Sequence, residues 1–447
     1  MLFFVEILLL VLVSRLLQFA VETGDPLIGY FPPTGHLYAP VYLWICWRIF
    51  QKFVRGENPR RQRLYTAAFV FKLIMTAYMT HLFITVYNYG DLHTYYRYPF
   101  WISREFFNGH FDIPAIARSY FLQYEFAWSS PTLAAIGFTV VFLILPPSLY
   151  GLTLFSGTVI FLACVVIYRT MEPHVEYKRA FFLVFFFVPS MTMQMGYLGK
   201  ETYAFPLLAI MFYLVRKNAS LVYKAAAAAA IFYVRFYQGF FVILALLYTR
   251  IRLKDFFRVR GIPLVIGAAG VLYVIYVKAL SRISGLGLDS IFDLAAFLSV
   301  VYEGGTLTLK PLPFPFTYLQ SFRPFPWEAN NLRSLIVSFE SVALLGIVAW
   351  LGVTRRRIMA RRIKLDPFYR FVFAYVLVQL IVFGYNDNIG DLARRKIYYL
   401  PLLVGLVGYR KIEEEEAAEK SRILPDAAIP PPPAARHPGS ASPSLPA

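Results

Sequence analysis

Cysteine and charge are both scarce in this chain of 447 residues. Its two cysteines, Cys46 and Cys164, lie inside apolar segments, so no disulfide framework and no cysteine-based metal motif is available. Charged residues make up only 16% of the chain, whereas 58% of the residues are apolar and 18% are aromatic. With a mean hydropathy of +0.55, this composition excludes a soluble globular protein of this length.

The sequence also lacks the short, alternating apolar segments that a transmembrane β-barrel requires. Long apolar segments recur along most of the chain instead, and they predict an all-α polytopic integral membrane protein. Residues 2–20 are apolar without a basic leader or a small-residue cleavage site, so we expect an uncleaved first span there.

Acidic residues are few. The chain has 26 Asp and Glu residues and 44 Lys and Arg residues, which gives a net charge of +18. The basic residues form short clusters between apolar segments rather than one continuous face, which argues against a nucleic-acid partner. Cytoplasmic loops of membrane proteins carry such clusters. We therefore assign to the cytoplasm the clusters at 52–63, 169–179, 216–224, 250–260 and 355–364.

We expect roughly 11 to 13 transmembrane helices, several of them short for a hydrocarbon core of about 30 Å and therefore tilted or broken. The candidate spans are 2–20, 37–53, 66–88, 131–168, 180–196, 203–215, 221–234, 237–249, 262–280, 334–353, 369–385 and 396–409. Region 131–168 is predicted to hold two helices joined at Pro146 and Pro147. An outer-face loop at 89–130 and a cytoplasmic cluster at 169–179 require an odd number of membrane crossings between them. Either one of these two helices is therefore re-entrant, or the predicted helix boundaries are wrong.

The predicted membrane domain covers residues 1–410, with outer-face loops at 89–130 and 281–333. Residues 411–447 are predicted to form a cytoplasmic acidic helix and a Pro-rich tail. The Pro, Ala and Ser of that tail cannot bury enough apolar surface to become ordered. The C-terminus is therefore predicted to be cytoplasmic.

Unusual polar residues gather on the predicted outer face. Arg394 and Arg395 break the positive-inside pattern, and Lys200 and Glu201 lie side by side between two apolar segments. Placing a charged side chain in the hydrocarbon core of a bilayer costs free energy, so such residues indicate either a membrane surface or a functional site. The candidate residues are Asp91, His93, Tyr95, Lys200, Glu201, Arg235, Arg323, Trp327, Glu328, Asp391, Arg394 and Arg395.

Each candidate also has a purely structural interpretation. Lys200 and Glu201 can simply start a helix. Arg235 can anchor a hairpin at the headgroups, and an interfacial aromatic belt can account for Trp327. The combination favours a site, because arginine forks hold phosphate oxygens, aromatic rings stack on sugars and a carboxylate can deprotonate an acceptor hydroxyl. The predicted substrate is a lipid-linked anionic saccharide.

Three segments resemble bacterial multi-pass proteins of surface-polysaccharide assembly, namely VPSMTMQMGYLGKE, FRPFPWEANN and NIGDLARRKIYYLP. Those proteins include O-antigen-polymerase-like proteins and GT-C-type glycosyltransferases that use polyprenyl-phosphate sugars. The resemblance implies a GT-C-like or polymerase-like fold in the bacterial cytoplasmic (inner) membrane. It also implies transfer of a sugar or glycan chain from a polyprenyl (pyro)phosphate at the outer face, in O-antigen or exopolysaccharide biosynthesis.

By this resemblance Asp91, within YGDLHTYY, is the general base, with Glu201 or Glu328 as alternatives. The phosphate-binding cations are then Lys200, Arg235, Arg323, Arg394 and Arg395. The other substrate-binding residues are His93, Tyr95, Trp327, Glu328 and Asp391. The chemistry requires no cofactor, since the cations neutralise the phosphate, and a divalent ion at Asp91 stays an alternative. The expected partners are the polyprenyl-linked saccharide, the membrane and other polysaccharide-assembly proteins.

Two functions of other classes stay open. A flippase or transporter for lipid-linked oligosaccharides should line a midplane cavity with charge. Most charges here lie at span ends instead, and Lys72 and His81 are the in-span exceptions. A non-catalytic scaffold for polysaccharide assembly should tolerate replacement of Asp91 by Asn. Within the transferase class, single-sugar transfer and chain polymerisation are both possible.

Overall fold

The computed structural model describes residues 38–85, 90–111, 130–188, 198–250, 325–328, 332–383 and 389–409, together with 5, 6, 9, 12, 13, 192, 319, 322 and 323. These residues are mostly helical, and no β-strand occurs among them, so the prediction of an all-α chain is confirmed there. The helices are α1 (Ala39–Val54), α2 (Pro59–Thr85), α3 (Gly90–Phe107), α4 (Ser130–Ile144), α5 (Leu149–Met171), α6 (Lys178–Phe187), α7 (Glu201–Arg216), α8 (Leu221–Val234), α9 (Phe236–Arg250), α10 (Leu332–Thr354), α11 (Arg356–Leu365), α12 (Pro367–Phe383) and α13 (Ile389–Val407).

Two helical segments of the described chain are long and apolar enough to cross a membrane, Leu149–His174 around α5 and Leu335–Thr354 within α10. The bent pair α11 and α12, which turns by 115°, adds a third if both helices belong to one span. Shorter apolar helices accompany them, and together they give the chain the character of a helical membrane protein. Predicted span 262–280 and the tail lie outside the described residues, as does most of span 2–20.

The break predicted inside region 131–168 is confirmed, because α4 ends at Ile144 and α5 begins at Leu149. Pro146 and Pro147 cannot donate the backbone hydrogen bonds that a continuous helix needs. Ser148 then caps α5, since its hydroxyl oxygen accepts a hydrogen bond from the Gly151 N–H at 3.0 Å.

One predicted span is interrupted, and one predicted loop was wrong. Within the span predicted at 180–196, α6 ends at Phe187 and Val188 is already extended. Val188 precedes a proline, which disfavours the helical conformation. The predicted loop 89–130 contains a helix, α3, whose Tyr96 and Ile102 are buried where the helix packs against α4.

Helix α5 lies at the centre of the bundle and packs against α1, α2 and α7. Glycines on its surface permit close approach, since a Cβ atom on Gly157 would lie 2.8 Å from the Thr76 hydroxyl of α2, and one on Gly151 would collide with the Tyr42 ring of α1. The apolar window of α5 is 72% buried, whereas that of α10 is only 22% buried. Helix α10 is therefore peripheral.

The basic clusters of separate segments meet at one end of the bundle. Arg61 of α2 donates to Glu172, just after α5, at 2.6 Å, and Arg169 of α5 lies 3.0 Å from Glu57. These contacts join the loop before α2 to the end of α5. We name this the basic end and define it by Arg61, Arg169, Arg216, Arg355 and Arg370.

Three further arginines belong to the basic end. Arg355 after α10 donates to the backbone carbonyl of Tyr409, after α13, at 2.9 Å. Arg216 at the end of α7 lies 6.0 Å from the ring of Phe368, and Arg370 of α12 donates to a carbonyl near the end of α9 at 3.3 Å. His174, after α5, stacks on Tyr409 at 5.4 Å. The ends of α5, α7, α9, α10 and α13 therefore lie together.

The other end, which we name the opposite end, is where α2 and α8 finish and where α7, α9 and α13 begin. Helix α4 has both its termini in that half of the bundle. Tyr203, at the start of α7, donates to the Ala134 carbonyl at 3.2 Å, and Leu145 packs with Tyr42 and Ile45 near the start of α1. Region 131–168 therefore reaches the basic end once, through α5.

Candidate functional site

A buried ion pair joins three helices at the opposite end. Glu201 is the first residue of α7, and its carboxylate accepts a hydrogen bond from the guanidinium of Arg235. Glu201 is 4% exposed, and the Arg235 side chain is 12% exposed. The same guanidinium donates to the hydroxyl groups of Tyr237 in α9 and Tyr398 in α13, the latter at 3.3 Å. One side chain therefore ties together segments far apart in the sequence.

Arg235 owes this position to the tight hairpin between α8 and α9. Its backbone leaves the helical conformation, with φ −145° and ψ 87°, and its carbonyl accepts the first hydrogen bond of α9 from the Gly239 N–H at 3.0 Å. Gly239 lies so close to the backbone of Phe232 that no Cβ atom fits there. The close crossing of these two helices directs the arginine toward α7 and α13.

Successive residues of α13 contribute to two adjoining groups of polar contacts. The guanidinium of Arg395 lies 5.0 Å from the Tyr237 ring, and Tyr398 stacks on Phe205 of α7 at 4.7 Å. The buried Lys396 donates instead to the backbone carbonyl of Arg323 at 2.5 Å and to the hydroxyl of Ser341, in α10, at 3.2 Å.

The described residues of FRPFPWE, namely 322, 323 and 325–328, lie in a compact turn beside α13. Glu328 accepts from Arg323 Nε at 2.8 Å and from the backbone N–H of Phe325 at 2.8 Å, which closes the turn on itself. Trp327 is 78% exposed and stacks on Phe325 at 5.0 Å. The turn therefore presents an aromatic face to its surroundings while its charges are held inside.

Helix α3 approaches the same end of the bundle. Its Tyr95 and Tyr96 belong to an apolar cluster that includes Leu198 and Tyr203, the residues on either side of the Lys200–Glu201 pair. The backbone positions of four other candidates are helical, but their side chains lie outside the described residues. These four are Asp91 and His93 in α3 and Asp391 and Arg394 in α13.

Positive charge exceeds negative charge among these described residues. The cations are Lys200, Arg235, Arg323, Arg395 and Lys396, and the carboxylates are Glu201, Glu328 and the nearby Glu340, which interacts electrostatically with Lys396. The described groups of this region therefore carry a net positive charge, which attracts anions. Glu201 already binds Arg235, so its carboxylate serves to orient the guanidinium.

Several residues of this region are not among the candidates predicted from the sequence. Lys396 lies within NIGDLARRKIYYLP, and Tyr398 follows Arg395 at a helical spacing of three residues, which places Arg395 and Tyr398 on the same side of α13. A buried network also connects α9 to α12, since Tyr375 donates to Gln238 at 2.7 Å and Gln238 donates to Gln379 at 3.2 Å. Isolated glutamines in apolar spans were the available signal.

No protein-family model, curated protein or solved structure matches this chain. Among the described side chains, no group of three His, Cys, Asp or Glu residues could hold a metal ion. The chemistry of the region follows from its own groups. Guanidinium and ammonium groups can hold phosphate oxygens, and the surrounding tyrosine and tryptophan rings can cover a sugar or an isoprenoid chain.

Proposed function

We propose that this protein is a membrane glycosyltransferase or polysaccharide polymerase that uses a polyprenyl-(pyro)phosphate-linked saccharide at the outer face of the bacterial cytoplasmic membrane. One observation carries the proposal. Candidate residues from four distant segments, represented by Glu201, Arg235, Arg323 and Arg395, lie together at the end of the bundle opposite the basic end.

The sidedness follows from the positive-inside rule. If the basic end faces the cytoplasm, the opposite end faces outward, where polyprenyl-linked saccharides are assembled into longer glycans. In this proposal α1, α2, α5, α7, α8, α9, α10, α12 and α13 each run between the two ends as spans, some of them tilted or short, and α6 starts the return from the basic end between α5 and α7. The sequence predicts further spans at 2–20 and 262–280, and with them the proposed protein is GT-C-like or polymerase-like with roughly 11 to 13 spans.

The cations would bind the leaving group. Arg235 and Arg395 share the aromatic surface of Tyr237, so they can grip neighbouring phosphate oxygens of a single headgroup. The acceptor hydroxyl oxygen attacks the anomeric carbon, and the bond from that carbon to the phosphate oxygen breaks. The electron pair goes to the phosphate, whose charge the cations stabilise, and the hydroxyl proton goes to Asp91.

Lys72, the cation that could favour a transporter, has a packing role in the structure. It is buried in α2, and its ammonium group donates to the backbone carbonyl of Thr192 at 2.8 Å. The ammonium group therefore makes a hydrogen bond that joins two segments of the bundle, and it has a structural role without any transport pathway. We therefore prefer the transferase over the transporter.

Lipid-linked intermediates in a deletion strain test the proposed activity. Loss of the protein should leave either single repeat units on the carrier, which indicates lost polymerisation, or truncated units, which indicates a lost sugar transfer. Asp91→Asn and Arg235→Gln should fail to restore the product, whereas Arg361→Gln, which removes an exposed cation near the basic end, should restore it. Full activity of correctly inserted Asp91→Asn would favour a scaffold instead.

Chemical labelling tests the sidedness separately. Trp327→Cys and Arg361→Cys both place a thiol at an exposed position, and the native Cys46 and Cys164 are buried and should react slowly. A membrane-impermeant maleimide should label Trp327→Cys in intact cells and Arg361→Cys only after permeabilisation. The reverse pattern, or labelling of both in intact cells, would refute the outward placement of the site.

A further inference from the structure

An apolar groove opens on the side of the bundle at its basic end. Its volume is about 220 Å³, and it lies between the start of α6, the last turns of α10 and the end of α13. Phe181, Leu351 and Val404 line its inner wall. Trp350 also lines it and is 62% exposed, so the groove faces outward from the bundle rather than into the core.

Small lining residues and the length of the groove along α6 give it the form of a slot for a hydrocarbon chain. Ala180 and Gly408 contribute to its lining and leave space between the larger side chains. Its wall on α6 extends from Tyr177 to Val184, which corresponds to roughly 10 Å along the helix axis. A slot of this form suits part of a flexible hydrocarbon chain.

A paired cation lies at the mouth of the groove. Arg355 donates to the Tyr177 hydroxyl at 3.1 Å and pairs with Glu176 at 2.7 Å. The hydrogen bond to Glu176 raises the pKa of Arg355, so this guanidinium stays charged and neutralises the carboxylate. Arg356 and Arg357 follow Arg355 directly in the chain and are exposed, so the start of α11 adds unscreened positive charge next to Arg355.

We propose that this groove binds an anionic phospholipid, with one acyl chain along the apolar lining and the headgroup phosphate against Arg356 and Arg357. Both halves of the lipid are matched, because a basic surface attracts anionic headgroups and an apolar groove shields hydrocarbon. An exposed tryptophan beside the basic residues is typical of the level where acyl chains meet headgroups. The site is separate from the glycan site at the opposite end and does not depend on the proposed transferase activity.

Trp350 provides a reporter for the test. The full-length protein is reconstituted in vesicles of neutral phosphatidylcholine that contain either brominated phosphatidylglycerol or brominated phosphatidylcholine, and tryptophan quenching is measured. Phosphatidylglycerol should quench more strongly at equal mole fraction, and Trp350→Phe should abolish the excess. Removing two cations in Arg356→Gln/Arg357→Gln should weaken the apparent affinity on the order of tenfold or more.

A matched variant distinguishes a site from general attraction to a basic helix. Arg361→Gln/Lys364→Gln removes the same charge farther along α11 and should change the affinity less than twofold. Equal quenching by the two lipids, or equal loss in both double variants, would overturn the proposal. Displacement of the brominated lipid by an added polyprenyl phosphate at a much lower mole fraction would also overturn it, in favour of the carrier lipid.

Discussion

The ion pair between Glu201 and Arg235 gives a sharp test of how the opposite end is held together. Its two side chains are 5% and 12% exposed, so removal of one partner leaves the other charge buried without compensation. Such a loss costs about 3 kcal/mol or more in proteins. We expect Glu201→Gln and Arg235→Gln each to destabilise the bundle by about that amount.

This free energy translates into a measurable change in melting temperature. The compact unit that holds the pair comprises Met1–Tyr409, for which the entropy of unfolding is about 0.9 kcal/mol/K. Each single substitution should therefore lower the Tm of the detergent-solubilised protein by about 3 to 4 °C. The measurement is thermal unfolding followed by tryptophan fluorescence in one detergent at one protein concentration.

The double variant Glu201→Gln/Arg235→Gln decides whether the pair itself is responsible. It removes both buried charges, so its destabilisation should fall short of the two single effects added together by about 2 kcal/mol. Strictly additive losses would show that the two residues do not interact in the folded protein. The inferred connection of α7 to α8 and α13 would then be wrong.

Two further predictions concern packing and hydrogen bonding. Gly239→Ala should destabilise the α8–α9 hairpin by about 1 to 3 kcal/mol, because the new methyl group meets the backbone of α8. Gly346→Ala meets no atom within 4 Å and should be neutral or stabilising, so an equal loss of Tm in both variants would contradict the packing. Lys396→Ala should expose the 322–328 turn to protease, because the Arg323 carbonyl loses its donor, at a cost of about 1 to 3 kcal/mol. Unchanged cleavage relative to Lys364→Ala, which removes an exposed lysine, would count against this role.

Local sequence was a good guide to where helices break. The Pro146-Pro147 pair separates α4 from α5 as expected, because two residues without an N–H cannot continue a helix. The helix over Gly90–Phe107 lies in a segment predicted as a loop, because its aromatic and polar composition is not that of an apolar span. Apolar length alone does not reveal a helix that is stabilised by packing against a neighbour.

The candidate site was partly visible in the sequence. Arg235 and Arg395 stand out in the sequence because an arginine in or beside an apolar segment costs free energy. Such a residue is therefore expected to have a structural or functional role. Their partners could not be assigned in the same way. Nothing in the sequence points to the Tyr237 ring, which the structure places 5.0 Å from the Arg395 guanidinium.

Composition and the order of apolar segments by themselves determined the class of this protein, because burial of so much apolar surface requires helices whose backbone bonds are satisfied locally. They also separated basic loops from the candidate residues. Only the tertiary structure decided which helix termini meet, and it placed both termini of α4 in one half of the bundle. Such contacts depend on the close packing of side chains, for example where the absence of a Cβ atom on Gly151 leaves space for the Tyr42 ring. No local sequence pattern predicts which distant residues pack together in this way.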